Sequence, residues 1–336
     1  MRASVLVTRA SFPDIVARLR VHFDVTDNPD DTLWTQPELI ARLQGKSAAL
    51  TAGSDRIDAT LLDACPQLKA VCNIGVGYNN VDVEACTARG VLVTNTPDVL
   101  TDTTADFGFA LMMAAARRVT ESERFLRRGE WTKTGRYDMF VGSDVHGSTL
   151  GILGMGRIGQ AIARRGALGF GMRVIYHNRS QLSPDIEASC GARYVDKDTL
   201  LLEADHLVIV VPYSASSHHA IGLQELRKMK SSATLTNIAR GGVVDDAALA
   251  EALAEGSIAA AGLDVFEGEP AVNPALLALS NVVLTPHIGS ASVSTRRAMA
   301  SLCVDNLLAA LGLGATPGKP PTPVNPRVLT GAPAAV

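Results

Sequence analysis

Short apolar runs that alternate with stretches of helical pattern restrict the fold of this 336-residue chain more than any other feature. In the first part of the chain the apolar runs stand at 5–7, 48–51, 68–72 and 91–94. Helical patterns fit between them at 13–19, 36–43 and 59–64. Parallel strands need a crossover connection, usually a helix, so this alternation predicts a parallel α/β sheet.

A second α/β series begins at Gly147. Its predicted strands are 149–153, 173–176, 207–211, 234–238, 260–265 and 282–284. We expect one long helix over 101–128 between the two series, because N-cap residues open it and Gly129 follows its basic last turn. A last helix is expected over 292–311, and the Pro-rich residues after it are expected to be extended or disordered. The chain therefore predicts two unequal α/β units.

The overall composition argues against several classes of protein. A net charge of −3 and a pI near 6.2 disfavour a broad nucleic-acid-binding surface, which needs clustered Lys and Arg. The five cysteines form no Cys-x-x-Cys pair, which favours reduced, mostly buried thiols in a reducing compartment. The chain shows neither a signal-peptide pattern nor an apolar run of about twenty residues. We expect a soluble cytoplasmic protein without nucleic-acid or membrane partners, and we assign no metal site.

The sequence Gly154-Met155-Gly156-Arg157-Ile158-Gly159 follows an apolar strand and opens a helical pattern. In that context the motif predicts a dinucleotide-binding loop, whereas the same glycines elsewhere would be weak evidence. Gly154 allows the tight turn, Gly156 lets the backbone approach a pyrophosphate, and Gly159 lets helix and strand pack closely. A glycine-rich turn that binds no ligand is the alternative.

The residues after the next predicted strand bear on the choice between NAD and NADP. About twenty residues after the glycine motif, NAD-selective sites carry Asp or Glu for the ribose 2′-hydroxyl. This chain has His177-Asn178-Arg179-Ser180 there, without a carboxylate. Arg179 can pair with a phosphate and no acidic neighbour repels one, so we predict a preference for NADP(H) over NAD(H). The alternative for Arg179 is a solvated surface arginine at a strand end.

Three polar residues of the second series stand just beyond predicted strand ends: Arg240, Glu269 and His287. The carboxyl ends of parallel strands share one edge of a sheet, and doubly wound sheets bind their ligands at that edge. Taken singly, the three could be an ion-pair partner, a solvated loop acid and a turn histidine. Taken together beside a dinucleotide loop, they form a catalytic hypothesis.

The needs of hydride transfer suggest a role for each of the three. Hydride addition to a ketone leaves an alkoxide, so a proton donor that works near neutral pH is required, and His287 fits. A carboxylate bonded to the other ring nitrogen would orient the ring and favour its protonated form, a role for Glu269. An arginine would bind a substrate carboxylate and polarise the carbonyl, a role for Arg240.

Over about residues 1–312 the chain resembles the D-isomer-specific 2-hydroxyacid dehydrogenase family. The matching stretches are GVGYNNVD (75–82), NTPDVLTDTTADF (95–107), LGILGMGRIG (150–159), NIARGGVVDDAAL (237–249), AGLDVFEGEP (261–270) and TPHIGSAS (285–292). Within the family it most resembles the bacterial glyoxylate/hydroxypyruvate and 2-ketogluconate reductases, where the YHNRS stretch also resembles an NADP-type site. The resemblance implies NADPH-dependent reduction of a small 2-oxo acid to a D-2-hydroxy acid, and the motifs do not say which acid.

The resemblance implies the same three catalytic roles and adds binding residues. The amides of Val76 and Gly77 would hold the substrate carboxylate, and Leu100 would line the substrate pocket. Thr104 would contact a cofactor phosphate, and Asp264 would hold the nicotinamide carboxamide. The further cofactor contacts would come from the glycine motif with Met155, Arg157 and Ile158, and from Asn178, Arg179, Ser180, Val211, Pro212, Ser217, Ile238, Ala239, His287 and Gly289.

The resemblance also implies the arrangement of the domains. A Rossmann-type, doubly wound parallel sheet would form the cofactor domain at 100–290. A smaller flavodoxin-like α/β substrate domain would combine 1–99 with 291–320, and 321–336 would be a tail. The two domains would close over the substrate, and the long helix would help to form a homodimer. No role is assigned between 131 and 147, where some relatives send an aromatic residue of the partner subunit towards the substrate.

Three alternatives share part of this pattern. Formate dehydrogenases resemble the chain but carry Gln where Glu269 stands. Phosphoglycerate dehydrogenases share the catalytic set, but the loop VCNIGVGYNNVD offers no extra basic residue for a phosphate. Their larger forms carry an added regulatory domain, whereas about twenty-five Pro-rich residues follow the last expected helix here. Dinucleotide-sensing transcriptional corepressors also resemble the family, but no basic or peptide-binding stretch of this chain favours that function.

Overall fold

The structure, a computed structural model, describes residues 2–330, in which parallel strands alternate with helices. The strands are β1 Ser4–Val7, β2 Asp24–Thr26, β3 Ala48–Thr51, β4 Ala70–Asn73, β5 Leu92–Thr94, β6 Thr149–Leu153, β7 Arg173–His177, β8 Ala192–Tyr194, β9 His206–Ile209, β10 Thr234–Asn237, β11 Ala260–Leu263 and β12 Val282–Leu284. The helices are α1 Pro13–His22, α2 Gln36–Leu43, α3 Ala59–Ala64, α4 Val83–Ala88, α5 Thr101–Ala116, α6 Val119–Arg127, α7 Arg157–Arg164, α8 Pro184–Cys190, α9 Lys197–Glu203, α10 Leu223–Lys228, α11 Asp246–Glu255, α12 Pro274–Ala278, α13 Val293–Ala310 and α14 Arg327–Thr330. A π-helical turn, Arg165–Gly169, continues α7.

One unit of the fold comprises the described residues up to Leu100 and those from Ala291 onward. Its parallel sheet has the order β2-β1-β3-β4-β5. The strands β3 and β4 are buried on both faces, which explains why their sequences lack polar alternation. Helices α1 and α13 pack on one face of the sheet, and α2 and α3 pack on the other. This is the strand order of flavodoxin-like sheets, so the predicted fold of this unit is confirmed.

The second unit comprises Thr101–Ser290. Its parallel sheet has the order β12-β11-β10-β9-β6-β7-β8. The chain leaves β6 towards β7 and β8, and then crosses back to β9 on the other side of β6. The carboxyl ends of β6 and β9 therefore mark the topological switch point, where such sheets bind ligands. The predicted Rossmann-type, doubly wound sheet is confirmed.

The prediction of one helix over 101–128 is wrong, because the chain breaks at Arg118. Arg118 has a left-handed φ of 52°, which separates α5 from α6. The carbonyl at the end of α5, that of Ala116, accepts the Ser143 amide at 2.9 Å. A side chain at Gly142 would collide with that same carbonyl. A contact with a distant segment therefore sets the break, and the local sequence carries no Gly or Pro to reveal it.

The Pro-rich segment after α13 is ordered over residues 319–330, and its last described residues, Arg327–Thr330, form α14. The Val324 amide donates to the Val93 carbonyl at 2.8 Å, and Pro323 forms an antiparallel bridge with Thr94. Asn325 is buried in this contact and is only 6% exposed. The segment thus pairs with the edge strand β5, and composition alone did not predict this docking. The remainder of the predicted tail, 331–336, lies outside the described residues.

Two further expectations concern the thiols and membrane-spanning helices. The cysteines Cys65, Cys72, Cys86, Cys190 and Cys303 are all buried and unpaired, as predicted. Burial raises the pKa of the Cys72 thiol to about 12, which keeps it protonated and unreactive. Within residues 2–330 no helix has the length and apolar character needed to cross a bilayer.

Candidate active site

The glycine motif forms the turn between β6 and α7, at the switch point of the second unit. Gly154 has a φ of 103°, and a Cβ there would stand 2.7 Å from the Val211 amide nitrogen. A Cβ at Gly159 would collide with the Gly154 carbonyl oxygen. At Gly156, the N-cap of α7, a Cβ would meet nothing within 4 Å. The turn therefore leaves open space at a helix N-terminus, which fits the pyrophosphate of a dinucleotide.

Asn178, in the loop after β7, is bonded to the glycine motif. Its Oδ1 accepts the amide of the buried Met155 at 2.7 Å. Its backbone carbonyl accepts the Tyr194 hydroxyl at 3.2 Å. With Asn178 fixed in this way, the exposed residues Arg179 and Ser180 follow directly in the loop. Asn178 was predicted as a cofactor contact, and its support of the glycine turn was missed because its partner lies 23 residues away.

Arg240 follows β10 and the buried residues Ile238 and Ala239. Its Nη1 donates to the Ala239 carbonyl at 2.7 Å. Burial lowers the pKa of the Arg240 guanidinium, and the charge of the nearby Glu269 opposes that shift. Arginine nevertheless stays protonated in proteins, so the site holds a desolvated cation beside a carboxylate. Such a cation attracts a carboxylate ligand more strongly than one in water does.

His287 and Glu269 form a bonded pair at the ends of β12 and β11. His287 Nδ1 and Glu269 Oε2 lie 2.8 Å apart, and Glu269 Oε1 accepts the Phe266 amide at 2.9 Å. Burial on its own raises the pKa of Glu269, but the bond from His287 and the charges of His287 and Arg240 hold the pKa below the ordinary carboxyl value. Glu269 is therefore an anion at neutral pH and requires a proton on Nδ1. Nε2 is then the nitrogen that can exchange a proton with a ligand.

Asp264 holds the loop that carries His287. It is 2% exposed, and its Oδ1 accepts the Ile288 amide and the Thr285 hydroxyl, each at 2.8 Å. Its Oδ2 accepts the Gly289 amide at 2.8 Å. These bonds flank His287, whose φ of 54° is costly for a residue with a Cβ. Asp264 was predicted only as a contact of the nicotinamide, and this support of the histidine was missed.

An apolar cavity of about 290 Å³ adjoins the imidazole–carboxylate pair. Besides Glu269 and His287, the residues that line it are Phe266, Pro270, Val272, Leu277, Leu284, Thr285 and Pro286. This wall places apolar groups on one side of the pair, whereas the side chains of His287 and Glu269 remain 46% and 33% exposed.

A second imidazole–carboxylate contact is formed by residues that follow the carboxyl ends of β9 and β11. His219 Nε2 and Glu267 Oε2 are 3.0 Å apart, and the His218 ring stacks on His219 at 3.9 Å between centroids. Across residues 2–330 this trio is the one group in which three metal-ligating side chains approach within 4.8 Å of one another. Sequence analysis missed it. His218 contacts the Tyr213 hydroxyl and stacks on His219, and His219 contacts Glu267. Each of the three side chains therefore has a partner within the protein.

The remaining predicted cofactor residues lie in the same unit as the glycine motif. Thr104 is buried on α5, and a Cβ at Gly289 would lie 3.6 Å from its methyl carbon, so Thr104 adjoins the His287 loop. Ser217 Oγ donates to the Pro212 carbonyl at 2.9 Å and closes the turn that follows β9. Val211 lies against Gly154, since a Cβ on Gly154 would stand 2.7 Å from the Val211 amide nitrogen. Arg157 and Ile158 open α7 at the glycine motif.

Three of the four predicted substrate contacts, Val76, Gly77 and Leu100, belong to the first unit. Val76 and Gly77 lie in the loop that follows β4, and both are partly exposed. Leu100 is buried, with 5% of its surface exposed. The first unit thus holds the backbone amides that the sequence analysis assigned to a carboxylate, and the second unit holds Arg240, Glu269 and His287.

Comparison with known proteins agrees with these observations. A family model described as D-isomer specific 2-hydroxyacid dehydrogenase, NAD binding domain, matches residues 109–289. The chain is 48% identical over 333 residues to a glyoxylate reductase of Thermococcus onnurineus, and the match covers 98% of each chain. It is 48% identical over 315 residues to a glyoxylate/hydroxypyruvate reductase B of Klebsiella pneumoniae, covering 93% of this chain and 96% of that one.

Solved structures resemble the chain over both units. That of an NADPH-dependent glyoxylate/hydroxypyruvate reductase from Sinorhizobium meliloti, in complex with NADP and malonate, has a TM-score of 0.85. It is 38% identical, and the match covers 96% of this chain and 97% of that one. A protein of Thermus thermophilus has the same TM-score at 41% identity, covering 96% and 99%. The chain therefore belongs to the D-isomer-specific 2-hydroxyacid dehydrogenase family and is an oxidoreductase that uses a nicotinamide dinucleotide.

Proposed function

We propose that this protein uses NADPH to reduce glyoxylate to glycolate and hydroxypyruvate to D-glycerate. The observation that carries the proposal is the convergence of Arg240, Glu269 and His287, with 2.8 Å between His287 Nδ1 and Glu269 Oε2, in the unit that holds the dinucleotide loop. The substrates in the names of the relatives give further support. A third candidate substrate is 2-ketogluconate, which has the same carboxylate and carbonyl groups.

The reaction consumes one hydride and one proton for each carbonyl that is reduced. When bound, NADPH supplies the hydride to the carbonyl carbon. His287 gives its Nε2 proton to the carbonyl oxygen as negative charge develops there, while Glu269 stabilises the imidazolium through Nδ1. Arg240 binds the substrate carboxylate and polarises the carbonyl. The amides of Val76 and Gly77 donate to the same carboxylate and fix its orientation.

The test is the loss of NADPH absorbance with purified protein and each of glyoxylate, hydroxypyruvate and 2-ketogluconate, with NADH assayed in parallel. We expect turnover with glyoxylate and hydroxypyruvate, and the ratio of kcat/KM values ranks the acids. Absence of turnover with all three acids, while NADPH still binds, would refute the proposal. That result would favour a phosphorylated 2-oxo acid or a dinucleotide-sensing function.

We also propose that NADPH is preferred to NADH. The loop after β7 carries Arg179 and no carboxylate, and both Arg179 and Ser180 are exposed and able to meet a 2′-phosphate. Asn178 fixes the base of this loop to the glycine motif, so the loop is preorganised next to the turn that fits a pyrophosphate. The ratio of kcat/KM values for the two cofactors measures the preference, and a ratio near one would contradict it.

We further propose a homodimer that uses the surface of α6 and the residues that follow it. No residue of α6 is buried, although the stretch is rich in large apolar side chains. The exposed ones are Val119, Leu126, Trp131, Tyr137, Met139 and Val141. Exposed apolar surface on this scale marks protein interfaces.

Sedimentation equilibrium tests the dimer with a matched pair of variants. Leu126→Glu places a charge on the proposed interface and should give a monomer. Leu168→Glu makes the same change at a side chain that is also largely exposed but lies on the π-helical turn, and it should leave the dimer intact. A wild-type monomer, or equal behaviour of the two variants, would refute this interface.

A further inference from the structure

The loop after β4 is held by its carbonyl oxygens. The Gly75 carbonyl accepts the backbone amide of Thr96 at 2.9 Å, and the Val76 carbonyl accepts Asn95 Nδ2 at 2.8 Å. In a trans peptide the carbonyl and the following N–H point in opposite directions. Fixing the Gly75 carbonyl therefore directs the Val76 amide, and fixing the Val76 carbonyl directs the amide of Gly77. Within residues 2–330 neither amide has a hydrogen-bond acceptor in the protein itself.

Asn95 is held in turn by one residue of the C-terminal segment. The Thr322 hydroxyl donates to the Asn95 carbonyl at 2.6 Å, and the Asn95 amide donates to the Thr322 carbonyl at 3.4 Å. Asn95 follows β5, which is the last strand in the order of its sheet. The C-terminal segment thus supplies the pairing that an edge strand lacks, and it extends this pairing to the residue that orients the loop after β4.

Two buried amide side chains hold the segment around Thr322 in place. Asn306, which is 0% exposed on α13, donates from Nδ2 to the Thr322 hydroxyl at 2.8 Å and accepts the Thr322 amide at 3.0 Å. Asn325 accepts the Val93 amide at 2.7 Å and donates to the Val91 carbonyl at 2.9 Å. Buried polar groups without partners are destabilising, so each of these amides favours the docked position of the segment.

We propose that the C-terminal segment 319–330 is a positioning element for the substrate carboxylate, which acts through Thr322 and Asn95 on the amides of Val76 and Gly77. The inference rests on the proposed function, in which those amides bind the carboxylate. Without the Thr322 hydroxyl, the Asn95 carbonyl keeps only the longer bond from Asn306 Nδ2 at 3.5 Å, so Asn95 holds the Val76 carbonyl less firmly. The peptide between Val76 and Gly77 then loses its fixed direction, which weakens carboxylate binding and leaves the dinucleotide loop unchanged.

Three single variants provide the test. Thr322→Val removes the hydroxyl at nearly constant shape, and Thr322→Ser keeps it. Thr330→Val is the matched control, because the Thr330 hydroxyl bonds only the Arg327 carbonyl within α14. We expect Thr322→Val to raise KM for glyoxylate and the inhibition constant of oxalate by up to about tenfold, the effect of one lost hydrogen bond. Its kcat and its Kd for NADPH should stay near the wild-type values, as should every constant of Thr322→Ser and Thr330→Val.

A double variant shows whether Thr322 acts through Asn95. Asn95→Ala should itself raise KM, and adding Thr322→Val should raise it no further, because residues on one path are not additive. The proposal is overturned by additive effects, by an unchanged KM in Thr322→Val, or by an equal loss of kcat and NADPH affinity in that variant.

Hydrogen exchange separates this inference from the proposed function. If the wild-type protein reduces none of the acids, the proposed function fails, and the exchange rates of the hydrogen-bonded amides of Gly75 and Thr96, which donate to Asn73 and Gly75, decide the inference. Faster exchange there in Thr322→Val, but not in Thr330→Val, supports the positioning path. Equal exchange in the two variants overturns it.

Discussion

Replacement of Glu269 by Gln tests how this carboxylate acts on His287. Both of its oxygens accept hydrogen bonds, one from the Phe266 amide at 2.9 Å and one from His287 Nδ1 at 2.8 Å. Gln has one side-chain oxygen, so it satisfies only one of these donors and turns its NH2 group towards the other. The change also removes the negative charge that favours the imidazolium form.

The size of the effect follows from the geometry of the pair. A hydrogen bond to a charged group contributes about 1.5–3 kcal/mol. The side chains of Glu269 and His287 are 33% and 46% exposed. Because solvent screens the pair, we expect about half of this contribution. About 0.7–1.5 kcal/mol corresponds to about 0.5–1 pH unit. Reduction needs the protonated ring, so the alkaline limb of the pH profile should move to lower pH by that amount.

The assay is kcat/KM for glyoxylate with NADPH as a function of pH. Glu267→Gln is the matched control, because it makes the same substitution two residues earlier, where the carboxylate contacts His219 at 3.0 Å. We expect its alkaline limb to coincide with that of the wild type. An unmoved limb in Glu269→Gln, or an equal displacement in both variants, would refute the specific action of Glu269 on His287.

Three further substitutions test other parts of the account. Arg179→Asp should shift the kcat/KM ratio towards NADH by at least about tenfold, since a carboxylate repels the 2′-phosphate and can accept a ribose hydroxyl, and Arg193→Asp should not. Gly159→Ala should weaken NADPH binding by about tenfold or more, because its Cβ meets the Gly154 carbonyl, whereas Gly169→Ala, whose Cβ meets nothing within 4 Å, should bind normally. Arg240→Lys should lower kcat/KM for glyoxylate by about two orders of magnitude, because a point charge does not replace the bidentate guanidinium; near-normal activity would remove Arg240 from substrate binding.

Local sequence was sufficient for the fold class and for the members of the candidate site. The strands are short apolar runs separated by helices, so the parallel sheets could be predicted from the alternation alone. Arg240, Glu269 and His287 follow three strands, and parallel strands bring their carboxyl ends to one edge. The glycine motif has a local cause too, since the turn between β6 and α7 tolerates no Cβ at Gly154 or Gly159.

The features that were missed depend on partners distant in sequence. The break at Arg118 is set by contacts with the segment around Gly142 and Ser143, and nothing between 101 and 128 indicates it. Asp264 supports the His287 loop across a separation of 24 residues, and Thr322 bonds Asn95 across 227. Composition suggested that the Pro-rich segment is extended or disordered, and buried amide hydrogen bonds order it up to residue 330.

The measurement that tests the central claim most directly is turnover and cofactor binding in His287→Ala, with His146→Ala as a control at an exposed histidine outside the site. The account predicts that kcat for glyoxylate falls by about two to four orders of magnitude, the usual contribution of a general acid. The Kd for NADPH should stay close to the wild-type value, and His146→Ala should behave as the wild type. Turnover by His287→Ala at a near-normal rate would contradict the account, because the proton would then come from another group.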